Sequence, residues 1–286
     1  MTYPDLASFL RTGKAALAKG PIGLIMVEDN VEIRSTIDHH LRAGFQSLVV
    51  FASDEIAPLG GLDDCVHWVG HDMSEDGALE TAVNSVIAAA PGKWLYYCYN
   101  GEYLHYPFSE DRTVGEMLAF NAEERRETIL TFTVDLYAGD LTESPNAVSL
   151  ENAYMDTSGY YALARWNGQE YEDRQLDFFG GLRWRFEEHV PWVRRRIDRV
   201  SLFRARPGLE LQGDHTFNIP EFNTYACPWH NNLTATICSF RTAKALKSNP
   251  GSRDAIQDFR WRSSTPFEWS STQLMNLGLM EPGQWF

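Results

Sequence analysis

The chain has 286 residues, is 44% hydrophobic and 13% aromatic, and carries a formal net charge of −14. That length and apolar content support a full hydrophobic core and exclude a disordered chain, while the acidic balance excludes a basic nucleic-acid-binding face. Its 20 arginines against 5 lysines suit planar, bidentate handling of anions. The four cysteines, Cys65, Cys98, Cys227 and Cys238, form no C-x-x-C pair and do not have the spacing of a structural zinc site. Cys65 and Cys98 lie in apolar runs and read as reduced core residues. The first residues lack a charged-then-apolar leader and no apolar run reaches membrane-spanning length, so a cytoplasmic protein is expected. Asn232-Leu233-Thr234 matches a glycosylation acceptor by chance on that reading.

In chain order, Leu6, Phe9, Leu10, Ala16 and Leu17 predict an amphipathic helix over 3–18, ended by Lys19-Gly20-Pro21. The run "IGLIMV", 22–27, predicts a buried strand. Asn30 is the expected N-cap of a helix over 31–43, with Ile33, Ile37 and Leu41 on one face and Gly44 at its end. Strands are predicted at 47–52 and 65–69, an alanine-rich helix at 76–90, and a fourth strand at 93–98. Strand–helix–strand alternation at this pitch predicts an α/β sheet. Ligands bind such sheets beyond the carboxyl ends of the strands. Here those tips carry Glu28 and Asp29, Ser53 and Asp54, His71 and Asp72, and Asn100 to Glu102. Farther on, 127–138 reads as a strand, 139–180 as turn-rich polar and aromatic chain, 180–208 as arginine-rich, and 234–247 as a helix. No linker or repeat interrupts the chain, so one elaborated domain is expected.

Two stretches carry a resemblance. "MVEDNVEIRSTIDHHLRAGFQSLVVFAS" resembles the opening of bacterial family-2-like glycosyltransferases through Glu28, His39, His40, Gly44, Phe45 and the 47–52 run. "WLYYCYNGEYL" lies where such proteins have Trp-x-x-x-x-Asp-x-Asp-Glu-Phe-Leu. Trp94, Glu102, Tyr103 and Leu104 fit that frame, and the two aspartate positions fall on Tyr99 and Gly101. "CPWHNNLTATICSFRTAKAL" is similar to the family's late histidine turn, with His230 at the matching place. The resemblance covers most of 22–248. It implies a GT-A-like, Rossmann-type mixed sheet in a single domain, with a nucleotide-sugar half (22–138), an acceptor half (139–248) and a C-terminal extension (249–286). It also implies inverting sugar transfer from a nucleotide-sugar, UDP-linked in the leading case, to a saccharide or lipid-carrier acceptor, with Mn²⁺ or Mg²⁺. The altered Asp-x-Asp puts that metal, and with it the activity, in question.

The site candidates follow from the chemistry. Glu102 is a hard oxygen ligand for Mg²⁺ or Mn²⁺, with His230 as its helper by resemblance. Glu28, Asp29 and Asp54 are candidates for the donor's base and ribose. Arg183 and Arg185, after a Gly-Gly turn, are candidates to hold the diphosphate. Glu187, Glu188 and Asp177 are candidates for the general base, with Asp173 competing. His39 and His40 read as structural, and Arg194 to Arg196 as an acid-paired surface. The aromatics of 160–192 include rings able to stack on sugar faces. The rival readings are a transferase scaffold that binds without turnover and an interaction component of a polysaccharide assembly system. No P-loop, serine-hydrolase elbow or H-E-x-x-H motif is present.

Overall fold

A computed structural model describes residues 1–223 and 232–285. Its elements begin with β1 (Thr2–Tyr3), α1 (Leu6–Thr12), β2 (Ile22–Met26), α2 (Ile33–Arg42), β3 (Ser47–Ala52), β4 (Val66–Gly70) and α3 (Ala78–Ala89). There follow β5 (Trp94–Tyr99), β6 (Glu102–His105), α4 (Val114–Glu123), β7 (Thr128–Ala138), β8 (Ala153–Asp156), β9 (Tyr161–Trp166) and β10 (Tyr171–Phe179). The chain continues through α5 (Gly181–Arg185), β11 (Asp198–Arg204), β12 (Ala235–Ser239), α6 (Arg241–Ser248), β13 (Ser264–Pro266) and α7 (Ser271–Asn276). It is an α/β protein with a large mixed sheet, flanking helices and a separate two-stranded ribbon.

The chain divides into two compact units, each gathered from segments distant in sequence. The first comprises Met1–Tyr103, Asp111–Leu130 and Val200–Asn223. Its strands run in the order β1-β4-β3-β2-β5-β11, with β1 to β5 mutually parallel and β11 antiparallel to β5. Ile22–Met26 is buried at every position, the pattern of a parallel strand covered on both faces. Ile33, Ile37 and His40 form the buried stripe of α2.

Two expectations change in this unit. The predicted 3–18 helix starts later, because Thr2 and Tyr3 pair with Trp68 and Val69 of β4 and Asp5 then caps α1 by accepting from Ser8 N at 2.6 Å, and it stops at Gly13, ahead of a separate 3-10 turn over Lys14–Leu17. Asn30 is not the N-cap of α2. Glu32 holds that place in the left-handed region (φ 59) with no side-chain cap bond, and residues 28–31 are instead drawn into a turn against β5.

The second unit comprises Leu104–Glu110, Thr131–Arg199 and Thr224–Phe286. In it β12 runs parallel to β7 with Ser239 opposite Asp135, β8 pairs antiparallel with β7, and β13 with β8. Tyr137, Leu182, Ala243, Leu246 and Phe259 form a buried core. The predicted helix over 234–247 is a strand followed by a helix. Ala235–Ser239 is buried throughout beside β7, and its β-branched Thr236 and Ile237 suit that place. The stretch expected to be turns contains β8 and the β9–β10 ribbon. Tyr161 to Ala164 are all exposed, so no in-and-out alternation marks β9.

Candidate functional site

The first unit places β3 and β5 on opposite sides of β2. The chain leaves β2 toward β3 and β4, then returns to β2's other side as β5. This is the switch point at which open α/β sheets leave a crevice. Asn100, wholly buried at the tip of β5, spans it. Its Oδ1 accepts from Glu28 N at 2.9 Å, and its Nδ2 donates to Asp29 Oδ1 at 2.7 Å, Asp29 O at 3.1 Å and Val31 O at 2.8 Å. Asp29 Oδ1 also accepts from Val31 N at 2.9 Å, closing an Asx turn. One side chain therefore ties the connection after β2 to the end of β5.

The turn after β5 is packed inside the unit: Asn100, Gly101 and Glu102 are all buried. Gly101 takes φ +75, and its N–H donates to Thr36 Oγ1 of α2 at 2.8 Å. Glu102 Oε2 accepts from Tyr99 N at 2.9 Å. Tyr103 Oη lies 2.9 Å from Ser35 Oγ, which also bonds Glu32, and burial pushes the Tyr103 phenol well above its ordinary range. The short β5–β6 connection is thus packed under the first turns of α2.

The other strand tips are more open. Glu28 and Asp54 are exposed, whereas Asp29 is half-buried in its own turn. Asp72 accepts from Ser74 N and Oγ at 2.9 and 2.8 Å, and the Ser74 N–H holds its carboxyl below the usual range. His71 Nε2 is 2.9 Å from the carbonyl of Ala78. His40 is buried, with Nδ1 2.7 Å from the Thr36 carbonyl. Burial, reinforced by His39, lowers its pKa to about 3.

The donor set at the β5 turn does not fit a divalent cation among the described residues. Glu102 supplies one carboxylate already engaged by an amide, and no group of three His, Cys, Asp or Glu side chains converges there or elsewhere among those residues. His230 lies outside the described residues.

In the second unit, Arg183 and Arg185 face buried carboxylates that sequence reasoning missed. Arg183 Nε is 3.7 Å from Asp135 Oδ1 and 3.2 Å from Thr242 Oγ1, and its Nη1 donates to the Arg196 carbonyl at 2.5 Å. Gly181 takes φ +61, and a Cβ there would lie 2.8 Å from Asp135 Oδ2. The Gly-Gly turn thereby lets Leu182 N reach that oxygen at 2.9 Å. Burial pushes the Asp135 carboxyl up, against the opposing pull of Arg183. Arg185 Nη1 is 3.1 Å from both oxygens of Asp156, which also accepts from Tyr137 Oη at 2.5 Å and Trp261 Nε1 at 2.7 Å. The guanidinium of Arg185 stacks over the Trp261 ring at 4.8 Å. Both arginines expected to hold diphosphate are thus engaged by acids of their own unit. The available signal was an aspartate inside the apolar run "TFTVDLYA" and another ending the run "AYMD".

The base candidates differ in surroundings. Asp177 Oδ1 lies 2.7 Å from Arg165 Nε and 3.2 Å from Arg196 Nε. Glu187 pairs with Arg195 at 2.7 Å. Glu188 is exposed, with His189 Nε2 at 3.8 Å. Asp173 is almost fully exposed beside Arg174.

No protein-family model matches the chain, and comparison with curated proteins finds no match. Among the described residues no helix is long and apolar enough to cross a membrane.

Proposed function

We propose that the protein is a GT-A-type glycosyltransferase that takes a sugar from a nucleotide-sugar, UDP-linked in the leading case, and that the first unit holds the donor nucleotide at the β2/β5 edge. The observation that carries this reading is the strand order β4-β3-β2-β5, which creates a nucleotide-type switch point bridged by Asn100. The exposed carboxylate of Glu28 lies at that edge and suits the N–H and O–H donors of a base and ribose, whereas the carboxylate of Asp54 lies on the β3/β4 side, beside Gly70. Mn²⁺ or Mg²⁺ would neutralise the leaving diphosphate. The described donors around Glu102 do not fit such an ion. In the second unit Asp177 is held by two guanidinium groups and Glu187 by one. Glu188 is therefore the candidate readiest to take the proton of a saccharide or lipid-carrier hydroxyl.

The test is a thermal-shift comparison with UDP, GDP, CDP and dTDP, each with and without Mn²⁺. Stabilisation by one of the four, diminished by Glu28→Ala, supports the reading; no stabilisation by any of them removes it. The buried turn with Tyr99 and Gly101 at the Asp-x-Asp positions favours a second reading, a scaffold that binds donor without turnover. It predicts a nucleotide shift with neither hydrolysis nor transfer of the matching nucleotide-sugar.

A further inference from the structure

Exposed apolar surface is concentrated in one place. Among the described residues the exposed large hydrophobic side chains are Met1, Tyr161, Leu163, Trp166, Tyr171, Trp184, Trp192 and Val193. All but the first belong to the β9–β10 ribbon and the chain just after it, within the second unit. A two-stranded ribbon is marginal in water by itself, so large rings left on its surface call for an occupant.

One face of the ribbon has a definite chemistry. Tyr161 and its cross-strand partner Phe179 stack with centroids 5.4 Å apart and planes 20° apart, and Phe179 stacks in turn on Trp192 at 5.0 Å and 24°. Phe179 is buried between the outer rings, which are 41% and 58% exposed. The stack is preassembled, so a ligand would not have to order it. On the same face Leu163 pairs with Asp177, whose carboxylate is held by Arg165 and Arg196. Asp198 completes that group through Nη2 of both arginines, at 3.3 and 3.2 Å. Two guanidinium groups and two carboxylates balance in charge.

We propose that this face binds a neutral oligosaccharide. A pyranose offers an apolar C–H face to a ring and hydroxyls around its rim, which matches aromatic rings bordered by the partly exposed Asp177 and Arg196, themselves fixed by the buried Arg165 and Asp198. The guanidinium of Arg195 lies 5.7 Å from the Trp192 ring centre but is paired with Glu187 at 2.7 Å, so the paired charges around the rings offer a phosphate, an anionic lipid or a nucleic acid little excess positive charge. The chain's net charge of −14 opposes self-association through the face. Asp177 then acts as a hydroxyl contact rather than as a base. The inference deepens the transferase reading by naming its acceptor class, and its test needs no nucleotide.

The full chain is titrated calorimetrically with cellohexaose, maltohexaose and hexa-N-acetylchitohexaose. Binding of at least one is expected, unchanged in 0.5 M NaCl and weakened at least tenfold by Trp192→Ala and by Tyr161→Ala. Circular dichroism and any nucleotide shift should stay as in the parent protein. Trp192→Phe, which keeps Phe179 covered, should bind with intermediate affinity and serves if Trp192→Ala fails to fold. No binding of any of the three, or equal binding by the variants, overturns the inference. So does a dimer, or sedimentation with phosphatidylcholine vesicles, that Trp192→Ala abolishes. Oligosaccharide binding without any nucleotide shift would leave this inference standing while the donor reading falls.

Discussion

Asn100 donates its side-chain amide to the Asp29 carboxylate at 2.7 Å and accepts the Glu28 N–H at 2.9 Å, joining two parallel strand ends at the point where the strand order reverses. Every polar atom of a wholly buried side chain is used in this way. The loop that would meet a nucleotide is therefore shaped by a residue that need not touch it.

Asn100→Ala should cost about 1–3 kcal/mol, since it removes the side-chain partner of part-buried backbone groups of Glu28, Asp29 and Val31. Asn100→Asp should be worse at pH 7, because it sets a second carboxylate against Asp29, and it should recover partly as the pH falls and one of the two takes up a proton. Thermal denaturation of the two variants at pH 5 and pH 7 checks both statements.

Glu102→Ala should cost about 1–3 kcal/mol by orphaning the Tyr99 N–H, while Glu102→Gln keeps an oxygen acceptor and should fold almost as well as the parent. The pair separates two roles. If Glu102 also binds a cation, Glu102→Gln loses any Mn²⁺-dependent nucleotide shift with its melting temperature intact. If its role is structural, that shift persists.

Asp135 and Arg183 should behave as a buried pair. Arg183→Ala is expected to destabilise by about 3–5 kcal/mol, because it strands a buried carboxylate. The sign of the pH effect follows from burial. The folded protein holds the Asp135 proton more tightly than the unfolded chain does, so this group's contribution falls as pH rises above its ordinary 3.8 toward the raised folded value. The stability of Asp135→Asn relative to the parent should therefore improve through that window and level off above it. Urea denaturation of both proteins from pH 4 to pH 7 measures the difference.

His40 has the opposite consequence. Its folded pKa of about 3 lies below the ordinary 6.5, so the unfolded chain takes up the proton first and stability falls as pH drops below 6.5. Each pH unit in that range should cost about 1.4 kcal/mol. His40→Gln should flatten this acid limb between pH 4 and pH 6. An unchanged slope would mean that other groups govern it.

The α/β class is legible in the residues alone. Continuous apolar runs such as "IGLIM" and "SLVVFA", alternating with 3.6-residue periodicity, have few other ways to bury their surfaces. Glu28, Asp29 and Asn100 are likewise marked as strand-end residues, because polar side chains directly follow those runs. Tertiary structure alone decided which tips adjoin. Strand order depends on contacts far apart in sequence, and nothing near Asn100 announces Asp29, 71 positions away. The same holds for Asp135 and Asp156, whose burial is tolerable only with Arg183 and Arg185 beside them. The β9–β10 ribbon escaped a local reading for the converse reason: exposed on both of its faces over Tyr161–Ala164, it lacks the one-sided burial that writes a period-two pattern into a strand.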